Sequence, residues 1–328
     1  MASTEMTATR HDARVVIVVG KGGVGSSTVA AAEALAAARR GADVLFVPVD
    51  GRPGMGTLLG GAPISDREQT VRRLRGGGRI RARTIPADQA FGDYLDLKGV
   101  GALLRRAASA ASLPMIAAAT PGLEHLLVLG KIKELDLDAA ADMIVVDAPP
   151  AGHATPFLRS ASGLSEVVSS GPVLEQADEV RAMLTDHTRC AAVIVALAEI
   201  TPVSEAIELA GDLDELGIRR TLPVLNGCWP DRPGLERSPG MAARGRSPKL
   251  SSDAKAALTS SVEYGRRRLA LQRTQLERIT ESLGEPVVIP RVPTARLGPD
   301  DLERVADALD PDSVATDVTA DGERGERR

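Results

Sequence analysis

Short, continuously apolar runs recur along the chain and alternate with longer stretches of helical periodicity. The run at residues 15–19 is typical of a parallel strand that is buried on both faces, and similar runs recur at residues 44–49, 143–146, 191–197, 222–225 and 286–289. Residues 79–85 alternate and predict one further strand. An Ala-rich helix is predicted from about residue 27 to residue 40, with Gly41 at the left-handed position that ends it. This alternation predicts an α/β fold with a doubly wound, mainly parallel sheet.

Changes in composition along the chain predict its organisation. Residues 1–13 and 311–328 are polar and are expected to form a disordered leader and a disordered tail. Residues 14–310 are expected to form a single domain, since no internal duplication is visible. Within it we expect a helical insertion at about residues 94–137 and a mobile loop, rich in Pro, Gly, Arg and Ser, at about residues 231–252.

Charge and residue usage exclude several classes of function. The net charge of −4 gives no electrostatic case for nucleic acid, and the aromatic fraction of 2% leaves few base-stacking platforms. The two cysteines, Cys190 and Cys228, form no C-x-x-C pair, so a thiolate zinc site within the chain is not expected. No apolar run approaches the roughly 18 residues of a membrane span. We therefore expect a cytoplasmic protein that does not insert into membranes.

The strongest chemical signal is a glycine-rich loop between the first strand and the first helix. It reads Gly20-Lys21-Gly22-Gly23-Val24-Gly25-Ser26-Ser27-Thr28. Backbone N–H groups of such a turn, at a helix N-terminus, suit a phosphate group. In the G-x-x-x-x-G-K-[ST] pattern a lysine reaches the β- and γ-phosphates, but here Ser26 stands at that position. The loop therefore predicts a phosphate site without its usual cation; a purely structural turn is the alternative.

Two aspartates follow predicted strands at the same edge of the sheet as the loop. Asp147 follows the run at residues 143–146, the place of a Walker B carboxylate, and Asp50 follows the second strand. Ligands of open α/β sheets bind outside the carboxyl ends of the strands. We expect Mg²⁺ to be held there by Ser27, Asp50 and Asp147, partly through water.

These motifs resemble those of one family. The loop resembles the deviant Walker A motif K-G-G-x-G-K-[ST], and Asp147-Ala148-Pro149-Pro150-Ala151-Gly152-His153 resembles the switch II segment D-T-A-P-T-G-H of the arsenite-pump and tail-anchored-protein-targeting (ArsA-like) ATPases. Three shorter resemblances follow. Pro121-Gly122-Leu123-Glu124 resembles the family's P-G-x-x-E helix start, Asn226 resembles its adenine-reading asparagine, and residues 290–293 resemble the loop that closes over the base. Segments 129–134 and 171–178 look most like actinobacterial members.

The resemblance implies a dimeric P-loop ATPase that uses ATP and Mg²⁺. It assigns nucleotide binding to Gly20, Lys21, Gly22, Gly23, Val24, Gly25, Ser26, Ser27, Thr28, Asn226, Pro290 and Val292, and switch roles to Asp50, Thr57, Asp147, Gly152 and His153. For His153 an ordinary turn histidine is an equal alternative. The helical insertion could hold a client helix in a groove, but a purely structural packing role is the favoured interpretation. A membrane protein as the client is left as an open alternative.

Two departures from the family pattern change the expected function. The loop lysine is replaced by Ser26, and the switch I aspartate that orients the attacking water in the family is replaced by Thr57. We therefore expect weak hydrolysis in this chain's own site. The retained Lys21 suggests a catalytic role in trans, in a pair with a paralogue whose loop is intact; a role in cis or a solvated loop lysine are the alternatives. A catalytically inactive regulatory module and a partition-type positioning ATPase remain the competing functions.

Overall fold

The structure is a computed structural model, and it describes residues 13–51, 54–97, 122–167, 169–232, 235 and 251–310. The strands are β1 (Val15–Gly20), β2 (Asp43–Pro48), β3 (Gln69–Arg73), β4 (Arg79–Ala82), β5 (Met143–Asp147), β6 (Cys190–Leu197), β7 (Val224–Cys228) and β8 (Val287–Pro290). The helices are α1 (Ser26–Arg39), α2 (Met55–Leu58), α3 (Ala87–Leu97), α4 (Leu123–Leu137), α5 (Ala151–Val167), α6 (Pro172–Thr185), α7 (Ile200–Glu215), α8 (Ser252–Leu283) and α9 (Pro299–Leu309).

The eight strands form one sheet in the order β3-β4-β2-β5-β1-β6-β7-β8. Every neighbouring pair is parallel except β3 and β4, which are antiparallel. The first strand lies in the interior of the sheet between β5 and β6, and all six of its residues are buried. The carboxyl ends of β1, β2, β5, β6, β7 and β8 therefore share one edge, where the glycine-rich loop begins.

Helices cover both faces of the sheet, so the predicted α/β fold with a mainly parallel sheet is confirmed. Apolar side chains of α3, α4, α5, α6, α7 and α8 pack on one face. Those of α1, α2 and α9 pack on the other. The alanines of α1 are buried almost throughout, because small side chains let this helix lie close to the strands beneath it.

Ion pairs attach the last described helix to the first. Arg39 at the end of α1 contacts Asp307 at 2.7 Å and also Glu303, while Arg40 pairs with Asp310. Beneath these pairs the apolar side chains of α9 belong to the same core as those of α1. The first and the last described helices are thus packed side by side.

The structure corrects three details of the sequence prediction. The apolar pattern does not predict strand β3, because only Val71 of its five residues is buried. The strand predicted at residues 222–225 begins later, at Val224, and continues to Cys228, whereas Leu222 is exposed. Asp50 lies in a turn beyond Pro48, the last residue of β2, and not at the strand end.

Some predictions fall partly or wholly outside the described residues. These are the disordered leader and tail, residues 98–121 of the helical insertion, and most of the loop at 231–252. They remain predictions. Within the described helices, none combines the length and apolar character needed to cross a bilayer.

Candidate functional site

The loop after β1 has the backbone of a phosphate cradle. Gly23 and Gly25 adopt left-handed conformations, with φ of +90° and +86°. Helix α1 begins at Ser26 with Gly25 at its N-cap, and among the described residues neither a capping side chain nor an acidic first-turn residue engages its N-terminus. Because the first N–H groups of a helix lack partners within it, this end attracts an anion. Ser26 and Ser27 are buried in this first turn.

Close contacts at two glycines show why the loop accepts no side chain there. A Cβ atom at Gly20 would lie 2.6 Å from the carbonyl oxygen of Val195 on the neighbouring strand β6. A Cβ atom at Gly25 would lie 2.3 Å from Nδ2 of Asn226. The glycine pattern therefore reflects tight packing of the loop against β6 and β7 as well as its backbone conformation.

Asn226 contacts the loop directly. It lies in β7, and its Nδ2 donates a 2.8 Å hydrogen bond to the carbonyl oxygen of Val24. A carboxamide has two N–H donors and one acceptor oxygen, so this bond uses only part of its capacity. The position is compatible with the predicted adenine-reading role, which remains a prediction, and it adds a second role, that of fixing the loop, which the sequence did not reveal.

The two aspartates lie at the loop's edge of the sheet in different settings. Asp147 is buried at the end of β5, in register with Val18 of β1 and Pro48 of β2. Its neighbour Ala148 donates a 3.1 Å hydrogen bond to the carbonyl oxygen of Val18. Asp50 is exposed in the turn after β2. Asp147 therefore lies on the strand next to the one that carries the loop, and its role in holding Mg²⁺ stays a prediction.

The switch residues are distributed between the start of α5 and the short helix α2. Gly152 is exposed in the first turn of α5, and His153 belongs to the same helix, with its side chain outside the described part. A Cβ atom at Gly22 would lie 3.9 Å from the side chain of Pro150, which comes just before α5. Thr57 is an exposed residue of α2. The switch II segment thus adjoins the loop.

Lys21 is held by a residue that the sequence analysis missed. Its Nζ pairs with Oε1 of Glu205 in α7, and the two side chains are 43% and 28% exposed. No motif identifies Glu205, because it lies 184 positions further along the chain and belongs to an ordinary amphipathic helix. Only the three-dimensional structure brings the two charges together.

The loop after β8 is attached to the end of β7. The backbone N–H of Arg291 donates a 2.7 Å hydrogen bond to the carbonyl oxygen of Cys228. Pro290 is exposed, while Val292 is partly buried against the face that carries α1. The guanidinium carbon of Arg291 lies 5.1 Å from the ring centre of Trp229. The loop therefore lies at the same edge as Asn226, and its closure over a base stays a prediction.

Both cysteines are packed within the structure. Burial raises the pKa of the Cys190 thiol to about 12 and that of the Cys228 thiol to about 11. Neither thiol is therefore a ready metal ligand or nucleophile at neutral pH. In the described part of the chain, no group of three or more His, Cys, Asp or Glu side chains is arranged to hold a metal ion.

Comparison with known proteins shows that the segment containing the loop matches the sequence model of a protein family. Residues 13–61, which contain β1, the loop, α1, β2 and α2, match the sequence model of the anion-transporting ATPase family. The chain is 37% identical over 214 residues to the ATPase BagA of Mycobacterium tuberculosis, with 62% of each protein covered. It is 27% identical over 211 residues to an arsenical pump-driving ATPase of Escherichia coli, covering 64% of this chain and 34% of that protein.

The similarity is therefore partial in length. The chain matches about 62% of the length of its mycobacterial relatives and 36% of the length of a Streptomyces coelicolor protein. The matches to the arsenical pump-driving ATPases of Escherichia coli and Acidiphilium multivorum extend over 34% of those proteins. These comparisons support the resemblance inferred from the motifs, including its actinobacterial character.

Proposed function

We propose that this chain is an ATP-binding subunit of the ArsA-like, anion-transporting ATPase family, and that it acts as a dimeric conformational switch. The proposal rests on the loop of residues 20–25, which lies at the N-terminus of α1. Two glycines in left-handed conformations determine the shape of this loop, and a hydrogen bond from Asn226 holds it in place. The family match at residues 13–61 includes this same segment. A polyphosphate is the ligand that suits such an arrangement.

The residues beside the loop suit a magnesium ion bound together with ATP. Mg²⁺ prefers oxygen ligands and usually retains several waters, so it needs only one or two protein carboxylates. Ser27 and Asp147 supply oxygens at the loop's edge, and Asp50 lies just beyond β2. Ser27, Asp50 and Asp147 would hold such an ion, which would supply positive charge beside the phosphates.

Hydrolysis in this chain's own site is proposed to be weak. Phosphoryl transfer depends on cations that stabilise charge in the transition state, and removal of one stabilising group costs roughly 10²–10³ in rate. Ser26 offers a buried hydroxyl where the lysine is expected, and Thr57 offers no carboxylate to orient water. Both replacements favour a subunit that binds nucleotide over one that turns it over alone.

We further propose that Lys21 acts in trans, on the nucleotide of a paralogous subunit whose loop is intact. The exposed position of Lys21 supports this role, because a side chain on the surface can meet a second chain. The competing function is a regulatory module that binds nucleotide without contributing to hydrolysis. It is favoured by the same two replacements at Ser26 and Thr57.

Three measurements on the purified full chain separate these functions. Isothermal titration calorimetry with Mg·ATP should give saturable binding of one nucleotide, and absence of binding would refute the proposal. Single-turnover hydrolysis by the chain alone should be slow. Activity should appear when the intact-loop paralogue is added and should fall with Lys21→Ala in this chain. Unchanged activity of that mixture would leave the regulatory module as the function.

A further inference from the structure

Glu205 is an acidic residue with a direct connection to the phosphate loop. Its Oε1 accepts a charge-assisted hydrogen bond from Nζ of Lys21, and its second carboxylate oxygen is buried without a hydrogen-bond partner among the described residues. The carboxylate therefore depends on Lys21 for its compensation. Removal of that ammonium group would leave a partly buried charge with less stabilisation.

The carboxylate of Glu205 stands on a rigid element. Its neighbours Val203 and Ala206 are buried in the core beneath α7. Two arginines of helix α8 contact α7 and the residue just before it. Arg278 donates a 2.9 Å hydrogen bond to Oγ of Ser204, and Arg268 pairs with Glu199 at 2.8 Å.

Lys21 is the mobile member of the pair. It lies between Gly20 and Gly22 in the loop and carries its charge on a flexible four-carbon stem. Of the two groups, the ammonium can change its partner while the carboxylate stays in place.

A bound polyphosphate and Glu205 would compete for the same ammonium group. The loop's own N–H groups attract the phosphates, which bring several negative charges close to Lys21. We propose that Glu205 is a positioning residue that holds Lys21 while the loop is empty and releases it when a nucleoside polyphosphate binds. This inference rests on the proposed function, since it concerns the same site.

The effect on affinity should be moderate, because both side chains of the pair are partly exposed to solvent. Ion pairs of this kind change equilibria by about two- to fivefold. Glu205→Gln keeps the shape of the side chain but removes its charge, and it should tighten Mg·ATP binding by about that factor. Glu208→Gln is the matched control, since Glu208 is exposed on the same helix and loses the same charge. The advantage of Glu205→Gln over Glu208→Gln should shrink at high salt.

A second readout reports on the lysine itself. Acylation of Lys21 by an amine-reactive ester, quantified by peptide mass spectrometry, should be faster in Glu205→Gln than in the unmodified chain when nucleotide is absent. Exposed Lys255 in α8 serves as the internal reference, and its rate should not change. Glu205→Asp retains the charge on a shorter stem and should give intermediate values, which keeps the test open if the Gln variant folds poorly.

The outcomes separate this inference from the proposed function. Tighter Mg·ATP binding together with faster Lys21 acylation in Glu205→Gln, but not in Glu208→Gln, supports the positioning role. If ATP binds all variants equally and Lys21 reacts at the same rate in each, the positioning role is wrong while nucleotide binding stands. If no variant binds ATP, the proposed function fails, and the coupling between Glu205 and nucleotide fails with it.

Discussion

Substitution of Gly25 by alanine should disturb both the loop and its contact with β7. Gly25 has φ +86° and ψ 24°, a conformation that disfavours any residue with a Cβ atom. The added Cβ would also lie 2.3 Å from Nδ2 of Asn226, so the asparagine must move. That movement breaks its 2.8 Å hydrogen bond to the carbonyl oxygen of Val24. Gly25→Ala therefore combines a backbone effect with the loss of a specific contact.

The two effects have separable magnitudes. The left-handed backbone costs an alanine about 1–2 kcal/mol, and the lost hydrogen bond adds about 0.5–1.5 kcal/mol. Gly23→Ala supplies the reference, because Gly23 has φ +90° but a Cβ atom there would meet no atom of the described residues within 4 Å. It should show the backbone effect alone. The free energy of unfolding should thus fall further for Gly25→Ala than for Gly23→Ala, by about 0.5–1.5 kcal/mol.

Urea denaturation, followed by far-ultraviolet circular dichroism, measures these differences. Asn226→Ala completes a double-mutant cycle. Alone it should destabilise the protein by the value of its hydrogen bond, but in the Gly25→Ala background it should cost almost nothing, because that bond is already broken. The reasoning is refuted if Gly25→Ala and Gly23→Ala are equally destabilising, or if Asn226→Ala costs the same in both backgrounds.

Three further predictions concern charge, the missing lysine and the thiols. The hydrogen bond from Arg79 lowers the pKa of Asp43 below its usual 3.8, so the stability gained from this pair is present above that value and is lost as the pH falls through the folded-state pKa. Asp43→Asn should therefore lower the free energy of unfolding by up to about 1 kcal/mol at pH 7 but have little effect in strong acid. Urea denaturation under both conditions measures the difference. Ser26→Lys should tighten Mg·ATP binding, yet single-turnover hydrolysis should stay slower than in a variant that also carries Thr57→Asp; equal rates would contradict the role given to Thr57. Because burial raises the pKa of the Cys190 thiol to about 12, native protein should resist iodoacetamide at pH 8 until it is unfolded, and rapid labelling of the native chain would contradict this burial.

The sequence predicted the centre of the fold better than its margins. The run at residues 15–19 is wholly apolar because β1 lies between two other strands and is buried on both faces. The edge strand β3 escaped prediction because it buries Val71 alone and presents polar residues elsewhere. Pattern arguments depend on burial, so a half-solvated edge strand gives them little signal.

The candidate site was predictable to the extent that its residues adjoin one another in sequence. The loop, Asp147 and the start of α5 belong to local motifs that follow strands. The contacts of Asn226 with Val24 and of Glu205 with Lys21 join residues 202 and 184 positions apart. The sequence around Glu205 shows only the pattern of an amphipathic helix, so it does not indicate that Lys21 is the partner of this residue.

The attachment of α9 to α1 has a consequence for synthesis on the ribosome. The loop-bearing strand emerges first, but its neighbours β5 and β6 end only at Asp147 and Leu197. The acidic partners of Arg39 and Arg40 come later still, between Glu303 and Asp310. Contacts so distant along the chain close slowly. The packing around α1 is therefore completed late in translation, and a nascent chain halted before α9 would leave exposed the apolar side chains of α1 that pack against α9.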